Sequence, residues 1–207
     1  MNQYWILAAI ALPILGSIGI PLLPFRKRKW MLLYIECVVL LTSLLVGALL
    51  LGGKTDAFYV VRFVNNLSIS FKIDGMTMVF AGLIAILWPL ATLYAFEYMT
   101  HEDHEKSFFL FYTMTYGVTL GIAFASVMLS MYFFYELLTL VTVPLVLHTL
   151  KREAILAVRR YLYFSIGGAA FALMGMIFMM TYGDTCEFIL GGVFSAETLA
   201  QHGPLLL

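Results

Sequence analysis

Residues 106–151 read KSFFLFYTMTYGVTLGIAFASVMLSMYFFYELLTLVTVPLVLHTLK. Between Lys106 and Lys151 lie 44 residues, and Glu136 is the only one ionised at neutral pH. As continuous helix such a run would reach roughly 65 Å at about 1.5 Å per residue. A bilayer's hydrocarbon core is only about 30 Å thick, so the run has to turn back and cross twice. Glu136 then sits near the middle of the second crossing. A lone carboxylate at that depth costs at least a few kcal/mol, and acids in such places mark ion or proton paths.

Composition extends the same reading to the whole chain. Its 207 residues are 62% hydrophobic and 12% charged, with a mean hydropathy of +0.95. Soluble domains carry about 25% charge, so the chain reads as an all-α polytopic membrane protein. The bilayer is its first partner. With 12 basic and 12 acidic side chains and no net charge, no basic surface for nucleic acid is expected. Cys37 and Cys186 lack any spacing suited to metal or redox work, and Cys37 reads as a small buried hydrophobe within a span. The start, MNQYWILAAIALPILGSIGIPLLPF, has no basic opening and no small-residue cleavage site, so it reads as a first membrane helix.

Spans are expected at about 4–24, 30–51, 76–96, 107–127, 130–150 and 161–182. Pro13 and Pro21 are tolerated in the first, where neighbours can re-satisfy freed carbonyls. Arg26-Lys27-Arg28-Lys29 precedes the second span, and Glu36 two turns in reads as an interfacial, snorkelling carboxylate near those cations. Between the second and third spans FYVVRFV and LSISFKI flank Asn65-Asn66. The pair predicts a β-hairpin over about 57–73 lying on the membrane surface, turning at the two asparagines. Asp74 is expected to cap the third span, accepting backbone N–H groups.

The loop EYMTHEDHEK carries His101 and His104 among acids. It could hold a metal, but with no further His or Cys nearby a solvated connector is preferred. In the fifth span Pro144 has no N–H for the carbonyl of Leu140, so the helix is weakened one turn from Glu136. Thr139 and Thr142 add hydroxyls there. His148, near the end of that span and roughly 120° around it from Glu136, reads as interfacial, with a proton-relay role as the alternative. SIGGAAFALMGM in the sixth span is rich in Gly and Ala and predicts close helix approach. Pro204 before a run of leucines reads as the start of a seventh span over 203–207.

Alternating the loops places Arg26 to Lys29, Lys106, Lys151, Arg152, Arg159 and Arg160 on one side, and Lys54, Arg62 and Lys72 on the other. The positive-inside rule makes the first side cytoplasmic, with the N-terminus and the hairpin outside an inner (cytoplasmic) membrane.

FKIDGMTMVF opening the third span, YAFEYMTHE followed by FFLFY, and FFYELLTLVTVPLV around Glu136 resemble one family. It comprises the antiporter-like subunits of respiratory complex I, of Mrp-type cation/proton antiporters and of membrane-bound hydrogenases. RRYLYFSIGGAAFALMGM resembles the family's next helix and HGPLLL the start of its seventh, so the likeness covers the first six of about fourteen helices. The resemblance puts Glu136 at the family's fifth-helix glutamate, and Arg160-Tyr161 where many members have Lys-Tyr. It further implies that the glutamate works with a seventh-helix lysine lying beyond Leu207. Redox chemistry, whether of an NADH dehydrogenase or a hydrogenase, would reside in partner subunits, so no cofactor is expected on this chain.

Glu136, Pro144, His148 and Arg160 are therefore the candidate residues of a subunit moving H⁺ or Na⁺ within a larger membrane complex. A structural or assembly subunit that conducts nothing is the alternative, and a stand-alone transporter is disfavoured by size. The chemistry is simple in outline. A shielded carboxyl without a cation prefers its proton, and a unit charge brought to 4 Å changes that by about 4 kcal/mol, roughly three pKa units.

Overall fold

The computed structural model describes residues 2–63, 67–183, 185–189, 192–195 and 198. Six helices dominate it: α1 (Asn2–Leu22), α2 (Arg28–Leu51), α3 (Gly75–Tyr98), α4 (Glu105–Phe124), α5 (Met128–Val146) and α6 (Arg152–Tyr182). All six are long and apolar enough to cross a membrane. A two-stranded sheet, β1 (Phe58–Arg62) and β2 (Ser68–Phe71), lies between α2 and α3. The asparagine turn at 65–66 and the expected seventh helix at 203–207 lie outside the described residues.

Helix α4 is the hub, packed against α1, α3 and α5. Its sequence explains why. Gly117 and Gly121 remove side chains where α1 and α5 come closest, so an added Cβ at 117 would stand 2.5 Å from the Ile10 carbonyl oxygen. One at 121 would drive into the Phe134 ring. Large buried side chains (Phe109, Tyr116, Leu120 and Phe124) fill the space around these close approaches.

The hairpin does more than lie on a surface. Ser70, Phe71 and Ile73 are buried, and β2 runs against the short α4–α5 connection. Lys72 N–H donates to the Phe124 carbonyl at 2.9 Å and Ser126 N–H to that of Ser70 at 3.1 Å. The hydroxyls of Ser70 and Ser126 share a bond of 2.6 Å. After α6 the chain returns to the same place, with Phe188 N–H on the Ser126 carbonyl at 3.0 Å and Glu187 accepting from the Tyr59 hydroxyl. A strand whose polar backbone groups would otherwise face an apolar bundle must find partners, and the connection supplies them. The Tyr59 phenol is held above its ordinary range, chiefly by its bond to Glu187.

Asp74 caps α3 as expected, its Oδ1 accepting from Thr77 N–H at 2.8 Å. Burial pushes its carboxyl upward, but the bonds from Thr77 and Lys72 outweigh that and hold it below the usual value. A folded-state value below the unfolded one stabilises above the unfolded value, and the benefit is lost as pH falls through the folded one. Asp74→Ala should therefore lower stability by about 1 kcal/mol, read as a drop in melting temperature in detergent that shrinks under acid conditions.

Three expectations need correction. Helix α6 begins at Arg152, not near Tyr161, because the Arg/Glu/Ala/Leu-rich lead is a good helix former and Glu153 suits the first turn. Among the described residues the α6 glycines bring no neighbour close, since nothing lies within 4 Å of a Cβ built at Gly167, Gly168 or Gly175. Cys37 is exposed on α2, turned away from the face that carries Ile35 and Val39 into the core.

At the α2 start, Arg28 ties three helices together. Its guanidinium holds Glu105 of α4 by three bonds of 2.5–3.0 Å and donates to the Phe96 carbonyl of α3 at 2.8 Å. His104 just before α4 is left-handed, with φ of 61°, which turns the chain so that Glu105 meets Arg28. The loop from 99 to 104 is thus a connector whose last acid becomes part of a helix staple. The pair is partly exposed, so Arg28→Gln should reduce stability by only about 1 kcal/mol or less, measurable by thermal unfolding in detergent.

Candidate ion-translocation site

Glu136 lies at the centre of α5, flanked by Phe134, packed on α4, and by Leu140, 65% exposed. It is half-buried, not buried, and no charged side chain among the described residues is fully buried. Helix α5 packs on α4, α6 and β2, and Glu136 lies at the edge of that packed surface, between the buried Phe134 and Thr139 and the exposed Tyr135 and Leu140. One carboxyl oxygen, Oε1, is nevertheless shielded from solvent and has no hydrogen-bond partner. A shielded, unpaired carboxyl oxygen is unfavourable and calls for a proton, a water or a cation.

The bond of 2.7 Å between the Thr142 and Tyr161 hydroxyls sets the level of α6 against α5. The two helices run antiparallel, so six residues back from Thr142 brings Glu136 to about the level of Gly167. Tyr132 and Tyr135, within a turn of Glu136, line a cavity of about 590 Å³ whose other walls include Met131, Met176, Met179 and Phe194. The cavity lies toward the start of α5, and Glu136 is not among the residues that line it.

The other sequence candidates do not converge on this carboxyl. Arg160 is exposed on α6, one residue from Tyr161 and roughly 10 Å along the axis from Glu136. No ion pair to Glu136 exists among the described residues, the two pairs present being Arg28–Glu105 and Lys72–Asp74. Pro144 lies two residues from the end of α5 at Val146, so it weakens the last turn. The hydroxyl of Thr139 is turned back onto its own helix, at the Tyr135 carbonyl. Thr142 does the same at Leu138 while joining Tyr161.

His148 stands beyond the end of α5, roughly 18 Å along the axis from Glu136. Its Nδ1 donates to the Leu145 carbonyl at 2.8 Å, which leaves Nε2 as an acceptor that is shielded and unpaired. The ring packs edgewise on Phe108 of α4 at 5.7 Å. It is a helix-end group held between α4 and α5, separate from the mid-span carboxyl.

Glu36, expected near the interface, also has a shielded Oε2 without a partner among the described residues. Among the described residues no cation pairs with it, and Arg28, eight residues before it, is held by Glu105. A signal was present in the sequence: Ser43, seven residues on, shares the face of Glu36.

Comparison with known proteins places these features in context. Residues 63–109 match the family model described as NADH-ubiquinone oxidoreductase (complex I), chain 5 N-terminus. The chain is 23% identical over 206 residues to the Na(+)/H(+) antiporter subunit A1 of Staphylococcus haemolyticus, covering 96% of this chain and 25% of the relative. It is 24% identical over 201 residues to the same subunit of Staphylococcus aureus, covering 94% and 24%. The fold is similar to a chain of a membrane-bound sulfane sulfur reductase, an archaeal respiratory membrane complex, with a TM-score of 0.73, 19% identity and coverage of 88% and 38%. The chain spans about a quarter of the length of these curated relatives. The antiporter-like family read from the sequence motifs is the one that these comparisons return.

Proposed function

We propose that this antiporter-like, multi-pass membrane protein is an ion-translocating subunit of a multisubunit membrane complex, and that Glu136 is its mid-span proton or cation carrier. The observation that supports the reading most is the Glu136 carboxyl itself, central in α5, with one oxygen shielded and unpaired. Relatives that are antiporter subunits, and a fold shared with a respiratory membrane complex, support the same class of work.

In this reading Glu136 alternates between a protonated form, favoured while no cation is near, and a charged form, favoured when a partner group or Na⁺ approaches. The cation is contributed from outside the described residues. The N-terminus and hairpin face the outside of the inner membrane, as the distribution of basic residues favours. Electron transfer, whatever its donor, belongs to other subunits.

A second reading has one specific observation in its favour: among the described residues no cation pairs with Glu136. A structural subunit that assembles without conducting would need none. Vesicles holding the chain with its co-purifying subunits decide between the two. Ion movement lost in Glu136→Gln with assembly intact supports translocation, and unchanged movement supports the structural role.

A further inference from the structure

We propose that four methionines of α5 and α6 form a soft-metal site that takes a monovalent cation of the Cu⁺ class. The proposal goes beyond the translocation reading and does not rest on it, because it uses neither Glu136 nor a transport step.

Met128 and Met131 on α5, and Met176 and Met179 on α6, all line the cavity of about 590 Å³ between those helices. Each pair is three residues apart, so its members share one face of their helix, about 4.5 Å from each other along the axis. The Thr142–Tyr161 bond gives the register. Fourteen residues back from Thr142 is Met128, and fifteen on from Tyr161 is Met176, so these two stand at about one level across the cavity. Because the helices are antiparallel, Met131 and Met179 flank that level by about one turn on either side. An unbranched side chain with three rotatable bonds spans such an offset.

Packing alone does not account for the group. Methionine is the residue that fills irregular gaps, yet here four of them surround space that stays unfilled. Met176 is buried and the other three are half-buried, so the four are gathered on the α5–α6 seam and not scattered over the outer surface of the bundle.

The chemistry of the lining selects the ligand. None of the described residues around the cavity is ionised, and the heteroatoms their side chains offer are four thioether sulfurs and the hydroxyls of Tyr132 and Tyr135. Thioethers are neutral and polarisable. They suit Cu⁺ and its analogue Ag⁺, whereas Na⁺, Mg²⁺ and Zn²⁺ call for oxygen, nitrogen or thiolate. A divalent ion would bring two charges to a place with no anion to offset them. A single charge costs less, and the rings of Tyr132 and Phe178 line the same cavity, where an aromatic face attracts a cation. Among the described residues no group of three or more His, Cys, Asp or Glu competes for a metal. Cys186 comes near in another way, its carbonyl accepting from Met128 N–H at 3.3 Å, so thiols have to be removed from any test.

Ag⁺ titration of the full chain in lipid nanodiscs tests the site, with co-purifying subunits retained, Cys37→Ser and Cys186→Ser in place, and remaining thiols alkylated. One Ag⁺ per chain is expected. Met128→Leu combined with Met176→Leu should weaken it at least about tenfold, the loss that even the outer partners of a metal cause. Leucine conserves volume, so that protein should unfold near the parent temperature. Met31→Leu and Met99→Leu, buried but not lining the cavity, should leave binding unchanged. X-ray absorption of the parent loaded with Cu⁺ should show a shell of sulfur alone, a readout that needs no methionine variant. The proposal is overturned if the parent binds no Ag⁺, if the Met128→Leu Met176→Leu protein binds it as the parent does, or if nitrogen or oxygen makes up the Cu⁺ shell.

Discussion

Glu136→Gln is expected to reduce ion movement to the background of empty vesicles while the protein still assembles and inserts. Glutamine keeps the shape of the side chain but neither takes nor releases a proton. The shielded Oε1 position would carry an amide that stays neutral at every pH. Packing should change little, since the side chain is half-buried and makes no hydrogen bond at Oε1. Glu136→Asp should retain part of the activity, because the acid survives but withdraws by one methylene, about 1.5 Å. The measurement is dye-reported proton flux, with and without Na⁺, in vesicles matched for protein content. Equal flux in the parent and in Glu136→Gln would remove Glu136 from the ion path and leave a structural subunit.

Gly117→Ala is expected to be the most damaging small substitution for stability. A methyl at 117 would stand 2.5 Å from the Ile10 carbonyl oxygen and 2.6 Å from Ile14 Cγ1, with Pro13 Cγ at 3.0 Å. The nearest of these is backbone of α1, held in its own helix beside a proline, so it cannot swing away as a flexible side chain would. Helix α1 would have to move off α4, and overpacking of this kind costs about 1–3 kcal/mol or somewhat more. The control is Gly167→Ala on α6, where the new methyl meets nothing within 4 Å. It should match or slightly exceed the parent, since alanine favours helix by up to about 1 kcal/mol over glycine. Thermal unfolding in detergent reads both. A Gly117→Ala protein as stable as Gly167→Ala would show that α1 and α4 are not packed as described.

Some of the architecture could be read residue by residue. Each span is a local sum of apolar side chains long enough to cross a bilayer, and Asp74 caps the helix that follows it through a bond to Thr77, three residues away. The mid-helix position of Glu136 followed from counting along one helix. What the chain places side by side from far apart could not be read this way. Arg28 meets Glu105 across 77 positions, and Ser43 meets Tyr116 across 73. Charge also misled at α6, where Arg159 and Arg160 suggested a loop. Helix hydrogen bonds are made within the chain and continue through a charged segment as readily as an apolar one.

By itself, then, the order of residues determined six membrane-length helices, a hairpin after the second, and an acid at mid-depth in the fifth. Hydropathy and turn chemistry are properties of neighbours along the chain, so they are already present in the unfolded sequence. Only the tertiary structure decided that α4 is the hub, that β2 is buried against the α4–α5 connection, and that Glu136 is half-buried with one oxygen shielded and unpaired. Shielding and partnership depend on which helices stand next to one another, and that is settled by side-chain shape at contacts such as Gly117 on Ile10 and Gly121 on Phe134.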